Sequence, residues 1–151
     1  MGRLLRILTG VACAAALLPI ATSALAGADD AAFRNYVLTM DKVHKYAEVG
    51  RALKATKDPA VQAELPKLDN FMGGSLAQAL AKLRTAPHVE ALVHRAGLSD
   101  NDFALIPLVA IGAAMAQNQP PAVQARMPVS AANIAFVKQH QADLKMMMSG
   151  D

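Results

Sequence analysis

The chain of 151 residues has no tryptophan, two tyrosines, four phenylalanines and a single cysteine. That cysteine, Cys13, lies in an N-terminal apolar run with the features of an export signal, so the domain after it has none. The absence excludes disulfides, covalent c-type haem attachment, thiolate zinc sites, iron-sulfur clusters and a cysteine nucleophile. Packing alone must hold the domain. Catalytic motifs are missing too. There is no G-x-S-x-G elbow, H-E-x-x-H helix, Walker A loop or dinucleotide fingerprint. Ser75, Ser99 and Ser130 sit where helix caps are expected, and Ser149 lies in the tail. These absences point away from an enzyme, and no cofactor is called for.

An excess of charge is also lacking. The net charge of +3 includes Arg3 and Arg6. Without them thirteen basic and twelve acidic residues remain, interleaved in sign. With so few aromatics for stacking, this composition argues against nucleic-acid binding.

What is present begins with the export signal. Arg3 and Arg6 form a positive start, and Ile7 to Ile20 is apolar or small except for Thr9, Gly10 and Pro19. Ala24-Leu25-Ala26 then supplies the small-residue pattern that a signal peptidase accepts, and Gly27-Ala28-Asp29-Asp30 turns polar. Residues 1–26 are therefore expected to be a cleavable signal peptide and residues 27–151 a single helical domain. Pro19 and the small-residue exit weigh against an uncleaved anchor. Cys13 follows Arg6 too closely for a lipoprotein signal. The mature chain is then periplasmic or secreted, with no stable membrane span after cleavage.

The remaining residues predict an all-α fold, a compact irregular bundle of five to six helices. From Ala31 to about Lys57, Phe33, Tyr36, Val37, Met40, Val43, His44 and Ala47 fall on one helical face. Asp29 or Asp30 would cap that helix, and Asp58-Pro59 ends it. Asp58 can in turn cap a short helix that stops near Pro66. Ser75 opens the next helix, with Leu76, Leu80 and Leu83 inward. Pro87 starts another, which should close at a left-handed Gly97. Ser99 with Asp102 resembles a capping box for the fifth helix, about Asp100 to Gln117. Phe103 to Ala116 carries no charge and is too short to cross a membrane, so it is expected to be the central buried helix. Pro107 should kink it, and Gly112 to Ala114 should admit a neighbouring backbone. Ser130 caps the last helix, from Ala131 to about Met148. No period-two run is long enough for a strand.

The run Ala96-Gly97-Leu98-Ser99, followed by Asp102-Phe103, an alanine-rich helix, Val129-Ser130-Ala131-Ala132-Asn133-Ile134-Ala135-Phe136-Val137 and His140, resembles a pattern in small secreted α-helical bacterial proteins of unassigned function. It covers about the last 55 residues. The resemblance implies export and a helical fold, and lends no site residues.

His88 and His94 are expected to be surface residues. They point about 120° apart on their helix, which does not suit a shared metal ion. His44 and His140 are less ordinary, because each falls on an apolar stripe. Asn133, Val137, His140 and Leu144 lie close together around the last helix, which aims a polar pair inward. Those polar side chains are expected to be buried and hydrogen-bonded; the alternative is a ligand site between the first and last helices. The run Met146-Met147-Met148 could supply thioether ligands to copper, but consecutive methionines on a helix point in different directions. The function expected is an exported, non-enzymatic binding or interaction protein with an unidentified protein or small-molecule partner. The alternative is a periplasmic haem- or metal-binding carrier using Met40, His44 or His140.

Overall fold

The computed structural model describes residues 28–72 and 74–149. They form an all-α bundle with no strand among the described residues. The elements are α1 (Ala28–Asn35), α2 (Met40–Ala55), α3 (Pro59–Glu64) running into a 3-10 turn (Leu65–Leu68), α4 (Leu76–Arg84), α5 (Pro87–Arg95), α6 (Asp100–Ala116), α7 (Pro121–Gln124), α8 (Ala131–Gln139) and α9 (Gln141–Ser149).

The buried helix anticipated at 100–117 is α6. Nine of its residues, from Phe103 to Ala116, are inaccessible, and α8, α4, α2 and α5 pack around it. At its start Phe103 meets Tyr46 at 5.3 Å and Phe71 at 5.6 Å between ring centroids, joining α2 and the turn before α4 to the same core. Pro107 is accommodated within a continuous helix. At Gly112 a Cβ would stand 2.9 Å from the Val129 side chain, so any larger residue here would force Val129 to shift. No single helix among the described residues is long and apolar enough to cross a membrane, and α5 and α6 meet at an 81° bend.

The helix ends follow their caps. Ser75 with Gln78 and Ser99 with Asp102 both form reciprocal capping boxes, and Ser130 accepts from the Asn133 amide. Gly97 takes φ 78 and closes α5, with the Leu98 N–H donating to the Val93 carbonyl at 3.2 Å.

Two expected helices are divided. The first breaks over Tyr36 to Thr39, where Thr39 turns extended and caps α2. Asp29 is not spent on its own helix; it accepts the Leu76 amide at 3.0 Å and so ties α1 to the start of α4. Because α1 and α2 are separate, the phase of one does not carry into the other. In α2 it is Val43 and Val49 that are buried. His44, expected on the inner stripe, is exposed, and so is Val37. The last helix breaks at His140, whose φ of −108° and ψ of 22° end α8 one residue before α9 begins. The stretch between Asn118 and Pro128 holds the short α7.

Candidate functional site

α6 is enclosed along most of its length, but its C-terminal half leaves apolar side chains uncovered. Ile111 is 37% and Met115 is 62% exposed, and they lie one turn apart. Beside them runs a groove of about 460 Å³. Ala110, Ile111 and Ala114 of α6 form one wall, and Val137 of α8 with Leu144 of α9 forms the other. Its rim carries Gln117 and Gln141, and Lys145 is the only charged lining residue among the described residues. The break at His140 shapes this wall, since Val137 comes before it and Gln141, Leu144 and Lys145 after it. Small alanines on α6 leave space on its side of the groove.

The sequence candidates for a haem or metal site do not converge. His44 is exposed on α2, and Met40 is half-buried one turn before it. His140 lies at the α8–α9 junction, where its ring packs on Phe136 at 4.7 Å between centroids and its Nδ1 lies 3.7 Å from Asp143. No cluster of three histidine or carboxylate ligands among the described residues includes either histidine. The side chains of Met146, Met147 and Met148, the copper candidates, lie outside the described residues.

Asn133, expected to point inward, does so completely. It is 1% exposed, accepts the Leu38 amide at 3.0 Å and donates to the Tyr36 carbonyl at 2.7 Å. It is therefore a structural clamp on the α1–α2 break.

Two carboxylates play parts that their sequence positions do not reveal. Asp102 closes its capping box and also accepts from the Tyr36 hydroxyl at 2.7 Å, with Lys42 Nζ at 3.0 Å. Burial pushes its acid upward. Bonds from Ser99, Tyr36 and Lys42, with the lysine charge, outweigh that and hold it at about 2. The Tyr36 phenol is pushed far up, first by burial and then by donating to this carboxylate. Glu64 is buried at the end of α3 and caps α5. Its carboxylate accepts the amides of His88 at 2.9 Å and Val89 at 3.2 Å, and the His88 ring lies at 2.8 Å. Burial raises the Glu64 acid, but the His88 ring and the two amides outweigh it and leave it below the ordinary carboxylate value. The signal for this contact is negative: Ala86, the residue before Pro87, has no side-chain oxygen with which to cap α5.

His88 and His94 are exposed, as expected, but each is paired with a carboxylate; His94 Nε2 lies 2.7 Å from Asp100. No family model, curated protein or solved structure matches this chain.

Proposed function

We propose that the chain is an exported, non-enzymatic binding protein whose site is the groove between α6 and the α8–α9 elbow. One observation carries the reading: apolar surface of α6 at Ile111 and Met115 adjoins a groove walled by Ala110, Ala114, Val137 and Leu144. Uncovered apolar surface beside a concave site is the usual mark of binding, since a free chain gains nothing by wetting it. The groove is of ligand size, and the one charge lining it among the described residues is the cation Lys145, with two amides nearby. An amphiphile fits this chemistry, with an alkyl chain along α6 and a carboxylate at Lys145.

Each methylene removed from water contributes about 0.8 kcal/mol, against the cost of ordering a flexible chain. A medium-chain fatty acid should therefore bind in the micromolar range. The test is an equilibrium titration with a fluorescent fatty acid. Binding should saturate at one per chain, weaken about tenfold in Lys145→Ala, and disappear in Ile111→Asp. Failure of the unmodified protein to bind, or undiminished binding by Ile111→Asp, contradicts the reading. Export follows from the N-terminal signal, which places the mature protein in the periplasm or outside the cell after cleavage between Ala26 and Gly27.

A further inference from the structure

We propose that Glu90, His94 and Asp100 form a divalent-cation site of zinc type that staples the end of α5 to the start of α6. Glu90 and His94 are one turn apart on α5, so their side chains share a face. Asp100 comes from the next helix. The left-handed Gly97 reverses the chain, and hydrogen bonds from Gly97 N–H to the His94 carbonyl at 2.9 Å and from Leu98 N–H to Val93 at 3.2 Å fix that reversal. This backbone reversal brings the three side chains together, and within it His94 and Asp100 already pair.

One ligand atom from each residue lies within 4.8 Å of the others, and His94 Nε2 is already 2.7 Å from Asp100 Oδ1. Bonds of about 2.1 Å put the ligands of a tetrahedral zinc ion about 3.4 Å apart, a distance that small rotations of the Glu90 and His94 side chains supply. Two of the three groups have no other task among the described residues. The cap of α6 is formed by Ser99 and Asp102, so Asp100 is free of it, and its carboxylate bonds only His94. The Glu90 side chain makes no hydrogen bond or ion pair there. The two carboxylates repel each other across this short distance, and a cation removes that cost.

Lys45, whose chain runs past Gly97, is paired with Asp41 at 2.8 Å. One imidazole nitrogen and two carboxylate oxygens, with a solvent side for water, match a three-ligand zinc site. They are too few oxygens for calcium, which takes six to eight. The site is separate from the α6–α9 groove and does not depend on its ligand.

The experiment is calorimetric titration of tag-free, chelator-stripped mature protein with zinc chloride. One equivalent should bind. Glu90→Gln, His94→Gln and Asp100→Asn should each weaken binding at least tenfold, whereas His44→Gln and His88→Gln should leave it unchanged. Zinc should also raise the melting temperature of the unmodified protein and not that of Glu90→Gln. That variant alters a half-buried carboxylate whose side chain makes no hydrogen bond among the described residues, so its fold is preserved if His94→Gln proves unstable. Absence of saturable zinc binding, full binding by Glu90→Gln, equal loss in His44→Gln, or tighter binding of calcium than zinc would each overturn the site.

Discussion

Asn133 and Leu38 stand 95 positions apart and share a buried hydrogen bond, Leu38 N–H to Asn133 Oδ1 at 3.0 Å. The same amide group donates to the Tyr36 carbonyl. The α1–α2 link has left helical geometry, and its orphaned donor and acceptor are satisfied by one side chain from α8. Asn133→Ala should leave both buried groups unpaired and cost about 2–4 kcal/mol in urea unfolding. Asn133→Asp keeps the acceptor but loses the donor, and should destabilise as well. Native-like stability in Asn133→Ala would contradict the clamp.

His140→Ala should cost about 1 kcal/mol, through the lost packing on Phe136 and a looser α8–α9 elbow. His94→Ala without metal should lie within about 0.5 kcal/mol of the parent, as exposed ion pairs do. His88→Ala should fall between neutral and destabilising in melting temperature, because it strips one partner from the buried Glu64 carboxylate. The check is a thermal melt of all three variants side by side; equal melting temperatures would remove His140 from the junction.

Acid should weaken the fold through Asp102 and Glu64. Both acids lie below their ordinary values in the folded chain, Asp102 at about 2 against 3.8, so the unfolded chain takes up protons first. Their stabilisation is complete above the unfolded values and is lost as pH falls through the folded ones. For Asp102 that window runs from about 4 down to about 2. Asp102→Asn should be less stable than the parent at neutral pH and nearly equal to it near pH 2. Glu64→Gln should behave alike, its deficit closing below the ordinary glutamate range. A deficit that persists unchanged in acid would show that charge is not the cause.

The helix starts were legible because a cap is a local signal: Ser75, Ser99 and Ser130 each open a helix, and Gly97 ends one. The central helix was legible from its uncharged run. The breaks at Thr39 and His140 were not: Asn133, far along the chain, holds the first, and α9 beyond the second packs on the distant α2. Helical phase counted across the first break consequently put His44 on the wrong side. The groove was hidden for a related reason. Ala110 and Ala114 read as ordinary core residues until α8 and α9 place Val137 and Leu144 across a groove from them.

Mature protein recovered from the cell envelope should begin at Gly27 by mass spectrometry. On that cleavage, reductant should leave its melting temperature unchanged, because the only cysteine, Cys13, lies within residues 1–26. A chain beginning at Met1 in the membrane fraction would contradict the export reading.

The most direct test of the binding claim is a nuclear magnetic resonance titration of the isotope-labelled mature protein with a medium-chain fatty acid. Amide shifts should concentrate at Ala110, Ile111, Ala114, Val137, Gln141 and Leu144, with the Lys145 side chain responding to the carboxylate. Shifts centred elsewhere on the bundle, or none at millimolar ligand, would contradict the groove as the functional site.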